Sequence, residues 1–219
     1  FLKKRICNEK SYCVIQGSGV DIKKFNNNEI KEKYYDPIQV LFPARIIREK
    51  GIIELFEACF ELWEEGFIFK LNIAGEIDRE NKSTLTRREI NAIALNKNIH
   101  FCGKVKDMKK IYLKTDIVVL PSWREGLSKS LIEAASMRLP IITTDVPGCR
   151  EIVENNKSGI LIPPKNKSLL KESIKTLIQN PKLAIQYGLR ARERVKGNFE
   201  LSFINNNILE IYNKLLSNS

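Results

Sequence analysis

Six short apolar runs punctuate the chain from residue 38 onward, at 38–43, 69–74, 99–102, 117–120, 140–144 and 159–162. Each is short and mainly apolar, and 117–120 is unbroken, the pattern of strands covered on both faces and hence of a parallel sheet. Between them the period changes to that of a helix with one buried face. Ile53, Phe56, Phe60 and Trp63 recur at helical spacing beside Ile52, Leu55, Cys59 and Leu62, and Leu169, Leu170, Ser173, Ile174 and Leu177 repeat the pattern later. Strand and helix in alternation predict an α/β fold, an open Rossmann-like doubly wound parallel sheet of about six strands joined by right-handed crossovers. After residue 199, Ile204, Ile208, Ile211 and Leu215 predict a terminal helix packed outside the sheet. Before residue 38 no period is sustained, and Gly17, Gly19 and Asp36-Pro37 mark a connector. The chain thus divides into 1–37, a strand-and-helix unit over 38–198, and a helical tail over 199–219.

Composition narrows the class. With 219 residues, 43% hydrophobic and 29% charged, the chain is long enough to bury a core without disulfides or metal. No stretch approaches the ~18 uninterrupted apolar residues of a membrane-spanning helix. The sequence starts at Phe1 with no signal-peptide pattern and reads as a piece of something larger. Its 37 Lys and Arg against 26 Asp and Glu give a net charge of +11, which favours phosphate-bearing partners. Abundant Lys, Asn and Ile offer compositional bias as a rival cause. Nucleic acid is not the expected partner, because the cluster Lys104, Lys106, Lys109, Lys110 and Lys114 has only Tyr112 among it and no recognition motif accompanies it. The five cysteines, Cys7, Cys13, Cys59, Cys102 and Cys149, form no CxxC pair, and His100 is the single histidine, so no zinc set exists. Scattered free thiols fit a reducing compartment, which points to the cytoplasm.

Two segments carry candidate chemistry. In the first, Pro121-Ser122-Trp123-Arg124-Glu125-Gly126-Leu127-Ser128 follows an apolar run and opens a helix. Ligands of doubly wound sheets sit beyond the carboxyl ends of the strands. There, Gly126 and the small Ser128 let backbone amides approach an anion that the helix dipole also favours. Glu133, two turns on, is placed to accept hydroxyl hydrogen bonds from a polyol, or else to pair with Lys129 at i,i+4. In the second segment, Arg45 and Lys50 lie in the loop after the first run, at the edge of the same crevice. They could clamp a diphosphate, Arg45 as a bidentate fork and Lys50 as a point charge. The bland alternative is a solvated basic loop partly neutralised by Glu49.

Together these segments resemble the donor-binding half of a GT-B glycosyltransferase of the large retaining group known as family 4. The matching features are the Arg-x4-Lys pair Arg45 and Lys50, the Glu-x7-Glu pair Glu125 and Glu133 with Glu-Gly-Leu-Ser, Asp145-Val146-Pro147-Gly148-Cys149-Arg150-Glu151, Gly159-Ile160-Leu161-Ile162-Pro163-Pro164, and Gly19-Val20-Asp21 with Phe25. The likeness runs from about Val14 to the C-terminus, and its wording is similar to bacterial transferases of capsule, O-antigen and lipid-linked oligosaccharide assembly.

The resemblance implies roles. Arg45 and Lys50 would hold the diphosphate and neutralise the leaving group, and Glu125 would contact sugar hydroxyls. The amides of Gly126, Leu127 and Ser128 would meet phosphate or sugar, and Glu133 the ribose. The backbone of Gly103, Lys104 and Val105 would face the base, while Gly75 would keep the cleft floor open. It further implies a nucleotide-sugar donor, expected to be UDP-linked, and no cofactor or metal, since no Asp-x-Asp occurs. An undecaprenyl-diphosphate-linked acceptor at the inner face of the cell membrane is the implied partner. An acceptor-binding domain would precede the unit, with only its last residues present in 1–37, so that this piece binds donor but transfers poorly. His100 matches no motif and is expected to be structural. An epimerase-like nucleotide-sugar binder of the same fold and a nucleic-acid-binding module are the alternatives.

Overall fold

A computed structural model describes residues 17, 19–27 and 35–217. Of the expected acceptor-domain remnant and connector over 1–37, residues 1–16, 18 and 28–34 lie outside the described residues, Cys7 and Cys13 among them. The six apolar runs form six strands, β1 (Ile38–Phe42), β2 (Phe69–Ile73), β3 (Ile99–Phe101), β4 (Ile117–Leu120), β5 (Ile141–Thr144) and β6 (Ile160–Ile162). All pair in parallel, in the order β3-β2-β1-β4-β5-β6. Several runs lose a residue at one end, where Pro43, Ala74 and Cys102 have already left the ladder for the loops of the carboxyl edge. Every residue of β4 and β5 is buried; β4 is apolar throughout, and the two threonines of β5 donate their hydroxyls to the carbonyls of Leu120 and Ser122.

The helices are α1 (Ile52–Glu64), α2 (Arg87–Ala94), α3 (Met108–Leu113), α4 (Lys129–Ser136), α5 (Pro147–Ile152), α6 (Lys167–Gln179), α7 (Pro181–Asn198) and α8 (Leu201–Ser217). α1 packs on α6, while α4 packs on α5 and α7. The apolar stripe of α1, Ile52, Leu55, Phe56, Cys59 and Leu62, goes inward. Its outer glutamates Glu57, Glu61 and Glu65 meet Lys167, Lys171 and Lys175 of α6. α8 is tied at its start, where Leu201 donates its amide to Val20 O at 2.9 Å and Ile204 is buried.

The connector over 19–27 is clamped by two arginines. Arg192, buried on α7, donates to the carbonyls of Phe25, Ser136 and Ile22. Arg138 reaches Asn26 Oδ1 and Asn27 O. A guanidinium, which stays charged and offers five donors, suits a place where several carbonyls converge.

In this strand order the chain reverses direction between β1 and β4, and the loops leaving those two strands diverge to open a crevice.

Candidate functional site

The loop after β1 and the loop after β4 are built against each other. Glu49 O accepts from the Trp123 amide at 2.8 Å and from Ser122 Oγ at 3.1 Å. Gly51 starts α1 with a left-handed φ of 75°, and a Cβ there would stand 2.0 Å from Pro121 O. Only glycine meets both demands. A third loop backs the first from behind. Ile46 donates its amide to Glu76 O, Arg48 donates to Ser83 O, and Arg48 pairs with Glu89 of α2. Glu89 and Thr86 complete a capping box at the start of α2, so Arg48 is anchored to a preformed helix end. Gly75 sits where a side chain would strike Ala44 O at 1.8 Å, beneath the β1 loop, and is not among the residues lining the cleft.

These loops enclose a cleft of about 580 Å³ lined by Arg45, Ile47, Glu49, Lys50, Asn81, Arg124, Glu125 and Gly126. Its cations already have carboxylate partners. Lys50 Nζ lies 2.5 Å from Glu125 Oε1, with side chains 20% and 10% exposed. Arg45 meets Asp78 at 2.5 Å and Arg124 meets Glu49 at 2.9 Å, both nearer the solvent. The Lys50–Glu125 pair crosses the crevice and joins the two motifs, whereas Glu49, the expected neutraliser of the loop, serves Arg124. Beside the cleft the amides of Gly126, Leu127 and Ser128 have no protein acceptor among the described residues, and Ser128 makes no side-chain cap to α4. Free amides at a helix start next to two cations make a place for an anion.

The Gly126 turn is held from below by α5. Thr144 Oγ1 donates to Ser122 O, and a Cβ on Gly148 would fall 1.2 Å from Gly126 O. Trp123 is fixed from both sides, with its indole N–H donating to Glu54 Oε1 at 2.8 Å and Lys165 Nζ 4.1 Å from its ring centroid.

Glu133 is placed differently from the other candidates. It is buried on α4 and does not line the cleft. Its neighbour is Tyr112 of α3, whose hydroxyl lies 3.3 Å from Glu133 Oε2. Burial raises the Glu133 carboxyl above its ordinary value, against the pull of Lys129, the Tyr112 hydroxyl and Lys24. Lys129, the alternative partner at i,i+4, acts on it only through charge.

Of the residues expected from sequence, the cleft gathers Arg45, Lys50, Glu125 and Gly126. Leu127 and Ser128 continue the same turn, with Ser128 buried as the residue before α4. Gly103 has a φ of 62° with open space around it, at the carboxyl end of β3. The next residue, Lys104, is exposed and 3.4 Å from Glu76, and Val105 packs on the core. His100 lies exposed in β3 opposite Asn72, away from the cleft lining. Sequence reasoning did not single out Asp78, Asn81, Arg124 or the partnership of Tyr112 with Glu133. The β2–α2 loop that carries Asp78 and Asn81 is polar and aperiodic and gave no signal. Among the described residues no three of His, Cys, Asp and Glu converge on a metal position.

A parallel six-stranded sheet that presents two cations, a carboxylate and free helix-start amides at its switch point is an α/β unit arranged to receive an anionic ligand there. The chain belongs to the Glycosyl transferases group 1 family, whose model matches residues 23–194. It is 28% identical over 208 residues to the capsular polysaccharide biosynthesis glycosyltransferase CapM of Staphylococcus aureus, covering 92% of this chain and 54% of CapM. It is 27% identical over 228 residues to the N,N'-diacetylbacillosaminyl-diphospho-undecaprenol alpha-1,3-N-acetylgalactosaminyltransferase of Campylobacter jejuni, covering 100% of this chain and 58% of that protein. The fold superposes on a glycosyltransferase of Rickettsia africae with a TM-score of 0.84 at 24% identity, covering 100% of this chain and 62% of that one. The chain spans about half the length of the curated relatives it matches.

Proposed function

We propose that this chain is the donor-binding half of a retaining, metal-independent glycosyltransferase. It would take a hexose or N-acetylhexosamine from a nucleotide sugar, UDP-linked, and deliver it to a glycan or lipid-linked saccharide in bacterial surface polysaccharide synthesis. The observation that carries the reading is that Arg45, Lys50, Glu125 and Gly126 line one cleft, beside which the amides of Gly126, Leu127 and Ser128 have no acceptor among the described residues. The similarity to CapM and to an enzyme named for a diphospho-undecaprenol substrate supports the polysaccharide setting and the lipid-linked acceptor.

In this reading the donor's diphosphate lies between the β1 loop and the start of α4. As the sugar–oxygen bond breaks, negative charge gathers on the β-phosphate. Arg45 and Lys50 meet that charge with cations, and the α4 amides meet it with fixed dipoles that need no rearrangement. Glu125, freed from Lys50 once the phosphate takes the ammonium, accepts from sugar hydroxyls. Glu133 accepts from the ribose, and the carboxyl edge of β3 at Gly103–Val105 receives the base. The acceptor would come from a preceding domain, with the enzyme working at the cytoplasmic face of the membrane. Among the described residues no helix is long and apolar enough to cross a membrane.

Calorimetric titration of the chain with UDP, GDP and ADP tests this. Selective UDP binding, weakened about tenfold or more by Arg45→Ala through loss of a charge-assisted contact, is the expected outcome. Binding indifferent both to the base and to Arg45 overturns the assignment.

A further inference from the structure

A deeply buried polar side chain beside Glu133 has no place in the scheme above. Tyr112, on α3, is 1% exposed. Its hydroxyl lies 3.0 Å from Ser130 O and 3.3 Å from Glu133 Oε2. Both acceptors belong to α4, and a phenol has one proton to offer them. The ring is braced by Phe25 of the connector, edge to face, with centroids 6.3 Å apart and planes at 69°. Phe25 is itself fixed, because its carbonyl accepts from Ser136 Oγ at 2.7 Å and from Arg192 at 3.1 Å. The ring therefore has little freedom to move away from Glu133, and its single proton is shared between Ser130 O and Glu133 Oε2.

The other carboxylate oxygen is placed differently. Among the described side chains, the polar atoms both sealed from solvent and unbonded are Glu54 Oε2 and Arg192 Nε. Among the described residues Glu133 Oε1 has no hydrogen-bond partner, and it is not one of these, so it keeps some contact with solvent. One oxygen of Glu133 thus lies against a donor while the other is left without one among the described residues.

We infer that Tyr112 is a positioning residue of the nucleoside subsite, its hydroxyl holding Glu133 Oε2 so that Oε1 is presented to the ribose hydroxyls. This rests on the reading of Glu133 as the ribose acceptor. A carboxylate on a three-torsion side chain swings freely unless something stops it, and tethering one oxygen lowers the ordering cost at the moment of binding. The phenol also neutralises part of the carboxylate's charge in a place where burial disfavours it.

The test uses the 219-residue chain with UDP and 2′,3′-dideoxy-UDP, which keeps base and diphosphate and lacks both ribose hydroxyls. Tyr112→Phe retains the ring, its packing on Phe25 and its volume, and removes only the hydroxyl. Expected is a roughly 3- to 10-fold weaker UDP affinity, the size of one lost positioning hydrogen bond, with 2′,3′-dideoxy-UDP affinity unchanged. Equal weakening for both ligands would mean that Tyr112 supports the fold alone, and no change for either would mean that Glu133 needs no tether; each overturns the proposal. Glu133→Gln separates the underlying reading. If it narrows the preference for UDP over the dideoxy ligand while Tyr112→Phe does not, the ribose role stands and the positioning role fails. If Glu133→Gln leaves that preference untouched, the ribose role fails and the proposal falls with it.

Discussion

Replacing Gly148 by alanine is the sharpest perturbation of the cleft that does not touch a charged group. Gly148 has no left-handed φ that would exclude alanine, so its reason to be glycine is space alone. A Cβ there would lie 1.2 Å from Gly126 O, 2.2 Å from Gly126 C and 2.8 Å from Glu125 O. Carbon and oxygen that are not bonded do not come closer than about 3 Å, so the Glu125–Gly126 carbonyls must retreat by about 2 Å or α5 must move by as much. α5 has little room, since Cys149 and Ile152 are both 0% exposed and Thr143 Oγ1 holds Cys149 Sγ at 3.1 Å. The cost of forcing extra volume into a tight contact is typically 1–3 kcal/mol. With backbone on both sides we expect about 2–3 kcal/mol, a fall in Tm of roughly 5–10 °C for a chain of this size. The site suffers as well as the fold, because the displaced carbonyls flank the amides proposed to meet the phosphate. Thermal unfolding and UDP titration of Gly148→Ala, run together, should show lower Tm and at least tenfold weaker binding. A variant with wild-type Tm and wild-type UDP affinity would refute the close approach and the idea that α5 fixes the turn.

Other outcomes follow from the charges. Lys50→Met removes one partner of a pair whose side chains are 20% and 10% exposed and should cost about 2–3 kcal/mol in urea unfolding, while Lys50→Met with Glu125→Gln regains most of it; strictly additive losses would contradict the pairing. Burial raises the Glu133 carboxyl above its ordinary 4.5, so the folded chain holds that proton more tightly than the unfolded one, and ionising it costs stability. That cost is absent below about pH 4.5 and complete once the pH passes the folded value, so Glu133→Gln should be more stable than the parent at about pH 8 and no different at about pH 4. Glu89 behaves in the opposite sense. The Arg48 guanidinium, then the amide and hydroxyl of Thr86, hold its carboxyl down at about 2, so its contribution is present above the ordinary value of 4.5 and fades as pH falls through about 2. Glu89→Gln should lower Tm slightly at neutral pH, and the difference from the parent should vanish near pH 2.

Much of the architecture could be read from spacing. Residues 117–120 are buried on both faces, so their unbroken apolar run announces a strand of a parallel sheet, and the β-branched Ile-Ile-Thr-Thr of 141–144, equally buried, reads the same way. Strand ends were less legible, because Pro43 and Ala74 are apolar yet already belong to the carboxyl-edge loops. For the cleft, Arg45 with Lys50 and Glu125 with Gly126 stand in two short motifs, and the order of strands brings them together. Asp78 was not legible, because its partner Arg45 is 33 residues away and nothing in a polar, aperiodic loop marks one carboxylate over its neighbours. The same holds for Tyr112. In sequence it stands only as the aromatic within a lysine cluster, and its contact with Glu133 depends on how α3 lies against α4. The Gly148 approach to Gly126 is of this kind too, since a glycine after proline in a sequence does not say which carbonyl it admits.

The central claim is spatial, that the diphosphate of a nucleotide sugar lies between Arg45, Lys50 and the amides of Gly126–Ser128. A crystal structure of the chain with UDP-N-acetylglucosamine tests it most directly. The account predicts the β-phosphate within hydrogen-bond distance of Arg45 or Lys50 and of at least one of those amides, with the Lys50–Glu125 contact opened and Glu133 on the ribose. A diphosphate ordered elsewhere, for instance on the exposed lysines around α3, with the Lys50–Glu125 pair intact, would contradict it.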